Sequence, residues 1–121
     1  MQEGNIAFSK AGHGYHREGV RLSEWRNIIA QAALKEIGRP LLWTGPVWVS
    51  LCFVYKRPRG QYGVGKATRP DIDKLARAAL DALTGFLWVD DAQVTKLEVM
   101  KMYQISTSEA PHLKVIAKRM A

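Results

Sequence analysis

Residues 71–84 carry Ile72, Leu75, Ala76, Ala79, Leu80 and Leu83 at helical spacing, and this one-sided apolar stripe lies between two runs patterned as strands. The stripe predicts a helix over 71–84, stopped by Gly85. Ahead of it, residues 47–55 read Val-Trp-Val-Ser-Leu-Cys-Phe-Val-Tyr, with bulk on both faces, which predicts a central strand. Behind it, a turn through Phe86 to Asp91 leads to a strand over 93–104. The alternation of that strand changes phase between Val99 and Met100, which predicts a bulge there. A last strand over 112–118 turns Leu113, Val115 and Ala117 inward and Lys114 and Lys118 outward. Upstream, Leu22, Trp25, Ile29, Ala32, Ala33 and Glu36 set a helix over 22–37, ended by Gly38 and Pro40. Asn5 to Phe8 forms a short strand and residues 11–20 a loop; the rest of 1–20 has no assignment. The expected fold is α+β: a mixed sheet of three to four strands with two main helices. A chain of 121 residues, 47% hydrophobic, fits one domain spanning 1–121.

The net charge is +7, so a polyanion is the expected partner, nucleic acid before an anionic membrane. No apolar stretch approaches the roughly 18 residues that span a bilayer, and the start Met1-Gln2-Glu3-Gly4-Asn5 is polar. Cys52 is the single cysteine, which forbids an intrachain disulfide. It reads as a small buried hydrophobe, and the cytoplasm is the expected compartment, with no membrane contact.

The charges are unevenly placed. All five aspartates, Asp71, Asp73, Asp81, Asp90 and Asp91, fall in one short stretch, while Lys56, Arg57, Arg59, Lys66, Arg69, Lys74 and Arg77 crowd the approach to the same helix. Carboxylates gathered in a basic field point to a divalent ion or to catalysis. Pro70 holds the chain extended ahead of Asp71, so Asp71 and Asp73 can converge at the helix start. Asp91 lies one helix length away; if the packing brings both helix ends together, Asp71, Asp73 and Asp91 form a magnesium site, with Asp90 the second choice and manganese the alternative ion. Lys74 or Arg77 would then stabilise charge on a reacting phosphodiester, and Arg57, Arg59, Lys66, Arg69 and Lys74 would bind the DNA backbone. Each residue also has a plainer role. Asp71 can act only as an N-cap, Asp73 can favour only the helix dipole, and Asp90 and Asp91 can be turn residues. Asp81 is a solvated residue or a partner of Arg77, and Arg77 an ion-pair partner of Asp73.

Other signals are weaker. Gly60 to Lys66 has Walker A spacing, but Ala67 stands where Ser or Thr should bind magnesium, so no nucleotide cofactor is expected. The loop is better read as a mobile basic segment touching phosphate. His13 and His16 are expected in solvent, and His112 at a strand edge. Phe86 and Trp88 plug the core in preference to wedging into DNA.

Three segments together, Arg69-Pro70-Asp71-Ile72-Asp73-Lys74-Leu75, Ala79-Leu80-Asp81-Ala82-Leu83 and Trp88-Val89-Asp90-Asp91-Ala92-Gln93-Val94, resemble the RusA family of Holliday junction resolvases. The likeness is strong over 69–94, weaker to about residue 103, where Lys101 fits, and thin before residue 45. It implies a homodimeric, magnesium-dependent crossover junction endodeoxyribonuclease that nicks branched DNA symmetrically in recombination and repair, with Asp71, Asp73 and Asp91 on the metal. Members are often encoded by phages and prophages. Two positions depart from the pattern: Arg77 stands where lysine is common, and Lys74 where asparagine is common. Arginine keeps the charge but does not give up its proton, so at position 77 it can stabilise charge and not transfer a proton. The proline-rich opening strand usual in the family is absent or altered. A nuclease with wider appetite for flaps and forks, and a basic binding module without catalysis, are the alternatives.

Overall fold

The computed structural model describes residues 5–11 and 22–120, so His13 and His16 lie outside the described residues. The elements run β1 (Asn5–Ala11), α1 (Leu22–Ile37), β2 (Val47–Tyr55), α2 (Ile72–Leu83), a single 3-10 turn (Asp91–Gln93), β3 (Val94–Tyr103) and β4 (His112–Arg119). The strands form one four-stranded sheet in the order β1-β4-β2-β3, with β2 and β3 parallel and the other two pairs antiparallel. The α+β class, the mixed sheet and the two helices match the sequence expectation.

Alternation decides which sheet face is covered. Val47, Val49, Leu51, Phe53 and Tyr55 of β2 join Leu113, Val115 and Ala117 of β4 and Ile6 and Phe8 of β1 in one core with both helices. Trp25 of α1 is sealed between sheet aromatics, with ring centroids 5.6 Å from Phe53 and 6.1 Å from Tyr55 in edge-to-face geometry. The stripe of α2 is turned slightly from its expected position: Leu75, Ala78, Ala79 and Leu83 are buried, while Ile72 is exposed. The opposite sheet face carries half-buried Trp48, Ser50 and Cys52 and exposed Lys114 and Lys118, with Lys118 Nζ 4.9 Å from the Trp48 ring. Cys52 is thus half-exposed rather than buried, and desolvation still pushes its thiol up.

β3 holds the other correction. Its register is continuous from Lys96 to Tyr103, and the irregularity sits at its start, between the pairs Val47–Val94 and Trp48–Lys96. No phase change occurs at Val99. Lys101 therefore stands opposite Phe53, on the helix-covered face.

The β2–α2–β3 segment governs everything that follows. Parallel neighbours require the chain to return along the sheet between them, so α2 starts beside the end of β3 and finishes beside its beginning. Gly85, at φ 85°, turns the chain after α2; its N–H donates to Trp88 O. Trp88 is fully buried, and its Nε1 donates to Thr84 Oγ1 at 2.8 Å, so it serves the core as expected and is not available as a wedge.

Candidate functional site

The start of α2 is built from three segments. The Arg69–Pro70 peptide is cis, and Lys101 reaches up from β3 to donate to Thr68 O at 2.6 Å and to Pro70 O at 2.7 Å. Asp71 occupies the N-cap in extended conformation (φ −68°, ψ 141°), yet its side chain makes no capping hydrogen bond. The plain capping role is thereby removed: the carboxylate points outward, with Lys74 Nζ at 3.8 Å as its neighbour. Asp73, Lys74, Arg77 and Asp81 form the exposed face of α2. Arg77 stands one turn beyond Asp73 and has no ion pair among the described residues, contrary to the pairing expected with Asp73 or Asp81. Asp81 turns instead to Arg26 of α1, at 3.8 Å.

The turn before β3 separates its two aspartates by role. Asp90 is committed: its Oδ1 accepts from Ala92 N at 2.9 Å, and Gln93 Oε1 accepts from Asp90 N at 2.8 Å, a reciprocal capping box. Gln93 Nε2 further donates to Trp43 O and Gly45 O, both at 2.9 Å, which pins the turn to the chain entering β2. Asp91 is exposed, and its carboxylate has no partner among the described residues. Of the adjacent pair, Asp91 is the one with oxygens to offer.

The aspartates do not meet within one chain. Among the described residues, no three His, Cys, Asp or Glu side chains form a group able to hold a metal ion. The reason is the crossover. Asp71 and Asp73 sit at one end of the 12-residue α2 and Asp91 follows its other end, and at 1.5 Å per residue the helix alone spans roughly 18 Å. Among the described residues of one chain, Asp71, Asp73 and Asp91 thus form no such group.

Cations of the basic loop also hold it in place. Arg57 Nε and Nη2 donate to Gln104 O at 3.1 and 2.9 Å, and its Nη1 to Gln61 O and Tyr62 O. Lys66 is buried, donating to Thr68 Oγ1 at 2.7 Å with its Nζ 4.9 Å from the Tyr55 ring and 5.4 Å from the Tyr103 ring. Burial also drives the Tyr55 phenol well above its ordinary value, and its hydroxyl has no hydrogen-bond partner among the described residues. Tyr103 N donates to Val64 O at 2.7 Å and Gly65 bridges to Met102, so the loop is fastened to β3. Arg59, Arg69 and Lys74 remain exposed, at the same end of the sheet as Asp71.

Sequence reading missed two features. Lys101 was noted only through the family likeness, and its inward position was hidden by the misplaced phase change; strict alternation from Tyr103 backwards turns it inward. An open cleft of about 850 Å³, lined by Lys56, Arg59, Ser106, Thr107 and Ser108 among others, joins the basic loop to the β3–β4 turn. Its walls are nearly fifty residues apart in sequence, and no local motif announces it.

With this geometry in hand, comparison with known proteins is informative. Residues 1–116 match the family described as Endodeoxyribonuclease RusA. The chain is 31% identical over 67 residues to the uncharacterized protein YqaN of Bacillus subtilis (strain 168), a match covering 54% of this chain and 44% of that protein. No helix among the described residues is long and apolar enough to cross a membrane. A family match over nearly the whole chain, reaching across all its elements but the end of β4, shows that this chain belongs to the RusA family of endodeoxyribonucleases.

Proposed function

We propose that the chain is a magnesium-dependent endonuclease that nicks four-way DNA junctions as a homodimer, with each active site shared between two copies. One observation carries the shared site: Asp71 and Asp91 both present carboxylates free of capping bonds, at opposite ends of α2. A two-fold axis that sets two copies antiparallel brings the start of one α2 to the end of the other, and it does so twice. Asp71 and Asp73 of one copy would then face the partner's Asp91.

The donor set fits magnesium, which takes hard oxygen ligands and is held by a few carboxylates plus substrate phosphate. Asp71, Asp73 and the partner's Asp91 would hold it. When bound, the ion supplies positive charge that polarises a phosphodiester and eases deprotonation of water. The chain's own residues do the rest. Lys74 steadies the Asp71 carboxylate, and Lys101 fixes the backbone ahead of it through the Thr68 and Pro70 carbonyls. Arg77, exposed one turn beyond Asp73, is positioned to balance charge building on phosphate; as a guanidinium it holds its proton throughout. Arg59 and Arg69 bind backbone phosphate beside the site. Two identical sites related by one two-fold axis suit a junction, which can itself adopt two-fold symmetry.

A synthetic four-way junction compared with duplex, flap and single strand, with and without magnesium, tests this reading. The expected result is junction-selective cleavage that Asp73→Asn abolishes while DNA binding is unchanged or tighter. Equal cutting of flaps and forks would indicate a broader nuclease. Binding with no cleavage under magnesium or manganese would leave a basic binding module.

A further inference from the structure

We propose that the cleft between the basic loop and the β3–β4 turn is a binding site for an unpaired stretch of nucleic-acid strand, separate from the carboxylates. The inference deepens the nuclease reading above and rests on it for its substrate. β2 and β3 run parallel, so the segments that leave them, 56–61 and 104–111, rise from the same end of the sheet and face each other across the cleft. The start of α2 stands at that end too. Val64 and Gly65 of the loop rest on Tyr103 and Met102, and Pro70 rests on Lys101. Along a strand these three supports span roughly 7 Å. The cleft and Asp71 are thus neighbours on one rim.

The cleft is preformed. Arg57 is its floor, and its guanidinium donates to Gln104 O on one wall and to Gln61 O and Tyr62 O on the other. Gln104 Oε1 accepts from Arg57 N, and its Nε2 donates to Glu109 O. Glu109 Oε1 accepts from Ile105 N at 2.8 Å, so the acid of the lining is held to its own turn. What stays open to a ligand is divided by wall. Lys56 and Arg59 have no ion pair among the described residues, and opposite them stand the hydroxyls of Ser106, Thr107 and Ser108. Ser106 and Ser108 bond each other at 2.8 Å, which leaves one of their two protons to donate. Cations facing hydroxyl donors suit phosphodiester oxygens. Between the walls lie Pro58, Pro111 and Ile105, and Ile105 is 71% exposed although apolar. Such a strip suits the faces of sugars and bases.

Size and shape choose the form of the ligand. A volume of about 850 Å³ is that of a small-molecule pocket. It admits a strand and not a duplex, and a paired strand keeps its base faces stacked away from Ile105. An open cleft beside Asp71 lets the chain continue in both directions, which a free nucleotide does not need.

The test is binding by the full-length protein without magnesium, so that nothing is cut. The probes are hexathymidylate, thymidine monophosphate and a short duplex with as many phosphates as the hexamer. Hexathymidylate should bind about tenfold more tightly than either of the others. Lys56→Ala should raise its Kd about tenfold and Thr107→Val about threefold, and Lys56→Ala should lower the salt slope by about 0.7. Both positions are exposed, so melting points should not move. A hexamer carrying 4-thiothymidine should crosslink within 56–61 or 104–111. Equal binding of the duplex, a mononucleotide as tight as the hexamer, a Kd indifferent to both substitutions, or crosslinks confined to other segments overturns the proposal. The two readings fail separately. A cleft that binds the hexamer in a protein that cuts no DNA ends the nuclease reading alone, and a junction nuclease whose hexamer binding ignores the cleft ends this inference alone.

Discussion

Asp71→Asn and Asp91→Asn each leave both sites of a homodimer one ligand short, so each variant alone should be inactive on a four-way junction. Mixed and allowed to exchange subunits, they should regain activity. In a heterodimer, one site collects both substitutions and the other collects neither if, as proposed, Asp71 and Asp73 of one copy work with Asp91 of the other. Random exchange puts about half the molecules in heterodimers, each with one intact site, so nicking should recover to about a quarter of the wild-type rate per subunit. The products should be single nicks with almost no paired resolution, since the second site of every active molecule is dead. The spacing behind this is structural: α2 has 12 residues, roughly 18 Å of helix, between the Asp71 end and the Asp91 end. The assay is a labelled junction on a denaturing gel, following nicked strands and resolved duplex separately. Magnesium titration of the mixture, read by protein fluorescence or calorimetry, should show a matching fraction of restored tight sites. A mixture as inactive as its components, with both variants dimeric, would refute the shared site.

The turn before β3 predicts a division between adjacent carboxylates. Asp90→Ala removes the bond to Ala92 N and should cost about 1 kcal/mol of stability by urea unfolding, while Asp91→Asn should leave stability nearly unchanged and abolish magnesium-dependent cleavage. Arg57→Ala should lower stability by about 2 kcal/mol, because its guanidinium serves four carbonyl contacts between the basic loop and the β3–β4 turn. Arg69→Ala, at an exposed position, should leave the melting point alone and reduce the salt slope of DNA binding by about one. Tyr55→Phe removes a buried hydroxyl that has no partner among the described residues and should stabilise the fold by about 1 kcal/mol, measured by urea midpoint at neutral pH. The folded phenol titrates above the unfolded one, so its contribution is intact below the ordinary tyrosine value of about 10 and is lost as pH rises past it. The wild type should therefore weaken above that pH more steeply than Tyr55→Phe.

The fold was legible where burial has a period. The stripe on α2, the β-branched run of β2 and the alternation of β4 each face a single core, so one-dimensional pattern carried the element, its bounds and most of its inward residues. β3 was harder, because it is an edge strand with little burial along most of its length, and weak burial leaves weak alternation. A stray apolar Met100 on the exposed face was enough to move the inferred bulge away from its place near Thr95, and that error hid the face Lys101 takes. In the site, the aspartates were found by composition, but their roles were not. Asp90 is set apart by Gln93 three residues on, which completes its capping box, whereas Asp91 has Val94 at that spacing; what the sequence does not show is that Gln93 also reaches Trp43 and Gly45, some fifty residues earlier. Likewise Arg57 and Lys66 look like any loop cations until Gln104, Tyr55 and Tyr103 close around them.

The separation of the aspartates is a consequence of topology, not of detail. Two parallel strands joined by a helix put the residue before the helix and the residue after it on opposite rims of the sheet, whatever the side chains are. A chain with ligands at both rims has one economical way to unite them: a second copy turned end over end. In the proposed dimer the same turn would set two reaction centres on opposite sides of one axis, with the exposed cations Arg59, Arg69 and Lys74 of each copy at the same end of the sheet as its own Asp71. On this reading, the crossover that keeps a lone subunit from assembling a metal site also restricts cutting to the paired state. Activity should therefore fall more steeply than protein concentration once the dimer begins to dissociate, and a monomer with full activity per chain at high dilution would contradict it.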